Sequence, residues 1–299
     1  MPELMKGSVV ASLIYKDIRS EIDRLKAHGI SAGLAMVIVG SNTASEQYLL
    51  TTTSLCRKLG IKDHTHRLPE DASLNEVLDL IKRMNKDERV SGILVFLPLP
   101  KYINPRAVLN TITPEKDVDG LGAISIGRLA AEESTYQLFG GVEEGSVTPS
   151  FLPCTPYGVI RLIEHYGISL KGKDVTVVGK SLTVGKSLAL MMLAKGATVT
   201  VCHRETKNLI DKTKTADILC VAVGRPALIT GDMVKEGVIV VDIGINSLPD
   251  GTLVGDVEFE SVSPKASYIT PVPGGVGPVT IAILLLNTVL STKRMFGIR

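Results

Sequence analysis

Short apolar runs alternate with stretches of helical spacing along almost the whole chain, and this rhythm restricts the fold more than any other feature. A strand buried on both faces reads as a continuous apolar run. Parallel strands need a crossover, usually a helix, so the alternation predicts parallel sheets covered by helices. Val10, Ile14, Ile18, Ile22 and Leu25 recur at helical spacing, and Gly29 follows as a stop. A strand over 34–39, closed by Gly40, precedes a helix over 44–59 ended by Gly60. Next come a strand over 61–67 and a helix from an N-cap at Ser73 to Asn85. The strand over 92–96 runs into Leu97-Pro98-Leu99-Pro100, where proline cannot donate to a ladder, so the strand stops and exposes its carboxyl end. Ligands of α/β folds bind at such ends.

A second unit begins near Pro153 with a helix over 156–166 and a strand over 174–178 closed by Gly179. The pattern continues with a helix over 184–195, a strand over 198–202, a helix over 207–214 and strands over 217–223 and 238–242. Pro249-Asp250-Gly251 marks a turn between two extended pieces, and a last helix starts beside Pro278 and runs to about Lys293. Residues 132–151, rich in Gly, Glu, Ser and Thr, read as a mobile surface loop.

Composition narrows the partners. The chain has 299 residues, enough for two domains, and its net charge of +2 gives no electrostatic reason to expect nucleic acid or an anionic membrane. The most apolar stretch, 281–290, is only ten residues, short of a membrane span, and the first residues lack a signal-peptide pattern. Cys56, Cys154, Cys202 and Cys220 have no metal spacing and read as buried thiols of a cytoplasmic protein; five scattered histidines support no metal site.

The stretch from Val175 to Gly185 is a strand, a turn and a helix start with a glycine at each end of the turn, which lets a phosphate approach helix-terminal N–H groups. The next strand ends at Cys202-His203-Arg204, where NAD sites commonly carry an acid for the ribose hydroxyls. His203 and Arg204, with Lys180 and Lys186 near the turn, suit a 2′-phosphate instead, so NADP is the expected cofactor; solvated surface cations are the bland alternative. Gly185-Lys186-Ser187 imitates the end of an ATP phosphate loop, but five residues separate Gly179 from Gly185 where that loop needs four.

Lys116-Asp117-Val118-Asp119-Gly120 and the run from Pro271 to Thr280 make the resemblance specific, in order with Val39-Gly40, Ser45 and Tyr48, Leu97 to Pro100, Pro153-Cys154-Thr155-Pro156 and Val254-Gly255-Asp256-Val257. The chain resembles the bifunctional methylenetetrahydrofolate dehydrogenase/cyclohydrolase family from end to end; Val279 stands where that family usually has methionine. The resemblance implies a two-lobed α/β subunit. Residues 1–152 would form a folate-binding catalytic domain and 153–277 a Rossmann-like NADP domain. Residues 278–299 would be a helix packing back on the first domain, and the subunits would pair as a homodimer through the cofactor domains. It also implies that Tyr48 packs on the folate ring system, Asp119 holds the pterin, and Pro273, Gly274, Gly275 and Val276 line the folate side. Gly179, Lys180, Ser181, Thr183, Val184, Gly185, His203, Arg204 and Ile245 would hold NADP. Read without the resemblance, Asp119 is also compatible with closing a turn, and the Pro-Gly-Gly run with ending a strand before a helix.

Two departures bear on catalysis. The family has a lysine four residues after the tyrosine and a glutamine just before the Leu-Pro-Leu-Pro run; here those positions are Thr52 and Phe96. Tyr48 and Thr52 still share a helix face, but the amine is lost. Oxidation of the folate methylene needs the rings held in register and no obligatory protein acid or base. Hydrolysis of the methenyl product needs proton transfers, to which a lysine of lowered pKa is suited. Threonine does not titrate near neutrality, and phenylalanine offers neither donor nor acceptor. The expectation is dehydrogenation retained and cyclohydrolysis weak or absent. The alternatives are a bifunctional enzyme with another base (Lys101, for example, since Lys58 lies too far along the helix), a folate-binding or dimer-partner protein without catalysis, and a related small-molecule dehydrogenase.

Overall fold

The computed structural model describes residues 2–131 and 150–298 and divides into two compact units. The expected loop over 132–151 falls almost wholly outside the described residues.

The first unit comprises Leu13–Ala131, residues 150–154 and residues 281–298. Its sheet has three parallel strands, β2 (Gly33–Val39), β3 (Lys62–Leu68) and β4 (Gly92–Val95), in the order β3-β2-β4. All seven residues of β2 are buried, as a central strand covered on both faces requires. The helix α1 (Gly7–Ala27) buries Ile14, Ile18, Ile22 and Leu25, the stripe read from the sequence. The helix α2 (Thr43–Leu59) is capped by the Asn42 side chain at its start and by Gly60 in the left-handed conformation at its end. Ser73 and Glu76 form a reciprocal capping box on α3 (Leu74–Lys86), which covers the sheet through Val77, Leu80, Ile81 and Met84. Two short helices missed in the sequence, α4 (Pro105–Leu109) and α5 (Ala123–Ala131), complete the described part of this region.

The second unit comprises residues 2–12 and Thr155–Thr280. Its elements are β1 (Glu3–Leu4), α6 (Cys154–His165), β5 (Asp174–Val178), α7 (Ser187–Ala194), β6 (Thr198–Cys202), α8 (Leu209–Thr215), β7 (Ile218–Val221), β8 (Ile239–Asp242), β9 (Asn246–Ser247), β10 (Leu253–Val254), α9 (Phe259–Val262) and β11 (Tyr268–Ile269). A six-stranded parallel sheet runs β1-β11-β8-β7-β5-β6. Strand order reverses between β5 and β7, the switch point beside which doubly wound folds bind nucleotides. The Pro249-Asp250-Gly251 turn joins the antiparallel pair β9 and β10, as its residues predict.

Chain order misplaces the N-terminus. Glu3 and Leu4 pair with Tyr268 and Ile269, so residues 2–12 belong with the second unit rather than with 1–152. Two-residue strands carry no periodicity, which is why β1 and β11 escape a pattern reading. The last helix, α10 (Val276–Met295), is also longer than its ten most apolar residues suggest, and by length and composition alone it could cross a membrane. Its polar positions are satisfied inside the first unit: Asn287 Nδ2 donates to the Val118 carbonyl at 2.9 Å, and Ser291 Oγ lies 2.6 and 2.7 Å from the Ser91 and Glu115 carbonyls. That is the bonding of a core helix, and it places residues 281–298 with the first unit as expected.

Candidate functional site

In the first unit, Tyr48 and Thr52 lie one turn apart on α2, and Phe96 follows the end of β4. Ser45 Oγ, in the first turn of α2, donates to the Leu97 carbonyl at 3.4 Å and ties the helix start to the strand end. This brings the rings of Tyr48 and Phe96 edge to face, 5.6 Å apart at 77°. Phe96 is 5% exposed, so its ring is part of the core. Thr52 is fully buried, and its hydroxyl donates to the Tyr48 carbonyl at 2.8 Å. The donor is spent on the helix's own backbone.

The Lys116-to-Gly120 motif holds Asp119 by fastening each of its neighbours. Lys116 Nζ donates to the Met84 and Asp87 carbonyls at 3.0 and 2.8 Å, capping the end of α3. Asp117, buried, accepts from the N–H groups of Leu121 and Gly122 and, at 2.6 Å, from Ser125 Oγ at the start of α5. The Val118 carbonyl receives Asn287 and, at 3.2 Å, the Cys154 thiol. Gly120 has φ +68°, and a Cβ there would stand 2.5 Å from the Leu152 carbonyl carbon, so no other residue closes this turn unstrained.

Burial, aided by the Asp117 charge and opposed by a hydrogen bond with Cys154, lifts the Asp119 carboxyl to about 7. Burial also holds the Tyr48 phenol well above its ordinary value, with the Asp119, Cys154 and Tyr15 charges adding to it. Both shifts favour the neutral forms of Tyr48 and Asp119. Lys58 and Lys101, the other amines weighed from the sequence, are exposed. Cys154 is the residue the sequence reading undervalued. It sits in a quoted motif, but a lone thiol gives no pattern to distinguish it from core.

In the second unit the turn after β5 is built around two glycines. Gly179 has φ +133°, and a Cβ on it would lie 2.3 Å from the Ala222 carbonyl oxygen. Gly185 packs against the Gly179 carbonyl so closely that a Cβ would approach to 2.0 Å. The five residues between them fit because Leu182–Lys186 is a wide π-type turn, with the Lys186 N–H bonded to the Ser181 carbonyl at 2.9 Å. The expected helix over 184–195 therefore begins with this turn and becomes α-helical only from Ser187. Ser181 Oγ caps it, accepting from Val184 N–H and bonded to the Thr183 hydroxyl. Ser187, the hydroxyl an ATP loop would offer to a metal, is buried and donates to the Leu182 carbonyl at 2.6 Å. No cluster of metal-ligating side chains occurs among the described residues.

Beside this turn two buried carboxylates organise the loops after β7 and β8. Asp256 accepts from the N–H groups of Val223, Gly224 and Arg225 at 2.6, 3.0 and 2.8 Å, and from Asn246 Nδ2 at 2.9 Å. Asp242 accepts from Gly244, Asp256 and Val257, and burial lifts it to about 6. Ile245 is thereby presented on a fixed loop, 58% exposed and next to Gly277. The Val254-to-Val257 motif was legible in the sequence, but its role as a loop clamp was not. Pro273 to Val276 belong to this unit also: Val272-Pro273 is cis, the Gly274 carbonyl accepts from Gly7 N–H at 2.9 Å, and Val276 opens α10. Lys180, His203 and Arg204 stand at the ends of β5 and β6, where all three meet Glu205, an acid that the sequence reading passed over.

Two family profiles match the chain. One is described as tetrahydrofolate dehydrogenase/cyclohydrolase, catalytic domain, over residues 5–119, and the other as the NAD(P)-binding domain of the same family over residues 153–296. A bifunctional protein FolD from Nautilia profundicola is 49% identical, covering 97% of each chain. The crystal structure of the bifunctional FolD methylenetetrahydrofolate dehydrogenase/cyclohydrolase from Campylobacter jejuni is 46% identical, with a TM-score of 0.90 over 98% of this chain and 99% of that one. A Trypanosoma brucei dehydrogenase-cyclohydrolase complexed with NADP and an inhibitor is 34% identical, with a TM-score of 0.89 over 98% and 99%.

Proposed function

Because this chain belongs to the tetrahydrofolate dehydrogenase/cyclohydrolase family, we propose that it oxidises 5,10-methylenetetrahydrofolate to 5,10-methenyltetrahydrofolate with NADP, and that its cyclohydrolase step is weak or absent. The observation that carries the second half is Thr52, buried with its hydroxyl given to the Tyr48 carbonyl, together with a buried Phe96 ring packed edge to face on Tyr48.

NADP, when bound, supplies the hydride acceptor. The residues around the Gly179 turn suit it: neither Gly179 nor Gly185 leaves room for a Cβ, and cations stand at both strand ends. Asp256 and Asp242 hold the neighbouring loops rigid. In the first unit, Tyr48 offers a ring face and a neutral phenol, and Asp119 a fixed carboxyl for the amino and ring nitrogens of a pterin. Oxidation asks these groups to bind and orient. Hydrolysis asks in addition for a group that takes a proton from the attacking water and returns one to the departing nitrogen, a role worth about 10² to 10⁴ in rate, and Thr52 and Phe96 cannot fill it.

A second reading has one observation behind it. Burial lifts the Asp119 carboxyl, on a turn fixed by Lys116, Asp117 and Asn287, to about 7, and it would serve as base if the substrate left it free. Assaying methylenetetrahydrofolate with NADP, and methenyltetrahydrofolate alone, separates the two. NADPH formation without accelerated methenyl decay supports the first, and accelerated methenyl decay by the wild-type protein supports the second. A homodimer through the cofactor unit and a cytoplasmic location belong to the same proposal. β6 supports the former, because it ends the sheet with Val201 exposed and Leu193 on α7 exposed nearby in sequence. Light scattering at a monomer mass would contradict it.

A further inference from the structure

We propose that Glu205 sets how strongly this chain discriminates NADP from NAD, by holding in the free protein the cations that a 2′-phosphate needs. The inference rests on the dinucleotide reading of the second unit.

β6 ends at Cys202, and residues 203–206 turn back on themselves: Thr206 N–H donates to the His203 carbonyl and His203 N–H to Thr206 Oγ1, both at 2.8 Å. The turn aims Glu205 across to the neighbouring strand end. Its Oε2 lies 3.0 Å from Lys180 Nζ, on the turn after β5, and 3.4 Å from His203 Nδ1. Its Oε1 lies 3.2 Å from Arg204 Nε. One carboxylate thus meets three of the four basic side chains that the sequence assigns to a 2′-phosphate, Lys186 being the fourth, and these contacts hold it below the usual carboxylate range.

Glu205 and a 2′-phosphate compete for the same donors. A 2′-phosphate, carrying nearly two negative charges, must displace Glu205 from Lys180 and Arg204 and then tolerate its charge nearby. The ribose of NAD brings two hydroxyls instead, and a carboxylate about twenty residues past the glycine turn is the usual acceptor for them. Glu205 therefore costs NADP affinity and supports NAD. The side chains are exposed (57% for Glu205 and 86% for Arg204), so the pairs are screened, weak and readily exchanged. A site so built takes both dinucleotides, with a preference narrower than Lys180 and Arg204 alone suggest.

The test needs neither folate nor turnover. Adenosine 2′,5′-bisphosphate and 5′-AMP are titrated calorimetrically into the full chain, as wild type, Glu205→Gln and Glu205→Ala, at 50 mM and 1 M salt. Both variants are expected to bind the bisphosphate about threefold tighter than wild type at low salt, with the gain shrinking at high salt. 5′-AMP, which has a free 2′-hydroxyl, should bind no tighter. Arg204→Ala should move the bisphosphate in the opposite direction. Equal bisphosphate affinity in wild type and both Glu205 variants overturns the role of Glu205 and leaves the dinucleotide site standing. Failure of wild type to bind either probe overturns the dinucleotide reading, and this inference with it.

Discussion

Replacing Asp119 by asparagine should make the protein more stable at alkaline pH while damaging its folate chemistry. The carboxyl is lifted from 3.8 to about 7, first by burial and then by the Asp117 charge. A group whose folded value is raised contributes stability that is fully present below its unfolded value and lost as pH rises through the folded one. Wild type should therefore weaken between pH 4 and pH 8, whereas the amide that replaces the carboxyl in the variant has nothing to titrate. At 1.36 kcal/mol per unit, a shift of about three units sets a ceiling of about 4 kcal/mol. Asp119 is only half-buried, so roughly half of that, about 2 kcal/mol, is the expected effect. The assay is urea unfolding followed by circular dichroism at pH 4 and pH 8, comparing wild type with Asp119→Asn. Other titrating groups, Asp242 among them, are common to both proteins and cancel in the difference. The gap between variant and wild type should widen by about 2 kcal/mol from pH 4 to pH 8. A gap constant within about 0.5 kcal/mol would refute the burial argument, since an ordinary solvated carboxylate behaves that way.

Three other perturbations follow from the same geometry. Gly179→Ala places a Cβ 2.3 Å from the Ala222 carbonyl oxygen at φ +133°, so NADP affinity measured by calorimetry should fall at least about tenfold, while an antifolate still binds. Asp256→Ala strips the acceptor from three backbone N–H groups and Asn246; thermal unfolding should show a loss of about 3 kcal/mol or more, and the KM for NADP should rise more than that for folate. Thr52→Lys combined with Phe96→Gln returns an amine and an amide to the Tyr48 surroundings, and methenyl hydrolysis should increase about 10²-fold, read as the loss of methenyl absorbance.

What the sequence disclosed follows from which forces act locally. The stripe on α1, the cap at Ser73 and the β9–β10 turn are set by neighbouring residues, and a pattern reading finds them. β1 and β11 exist only because distant pieces of chain pair, so two-residue strands give no local signal. The five-residue gap between Gly179 and Gly185 argues against an ATP loop, but the π-type turn that absorbs it is visible only once Lys186 is seen bonded to Ser181. At the candidate sites, Tyr48, Thr52, Phe96 and Asp119 could be named from motif order. The thiol beside Asp119, the carboxylate clamp at Asp256 and the Glu205 bridge could not, because each depends on side chains converging from separate elements.

If Thr52 and Phe96 leave oxidation possible and remove the means of hydrolysis, a paired assay on the purified protein will separate the two activities. Methylenetetrahydrofolate with NADP is followed for methenyl and NADPH formation, and methenyltetrahydrofolate alone is followed for decay above the uncatalysed rate. Enzyme-dependent oxidation with methenyl decay indistinguishable from buffer is the predicted result. Methenyl decay accelerated as strongly as oxidation proceeds would contradict it, and would mean that another group performs the proton transfers at that site.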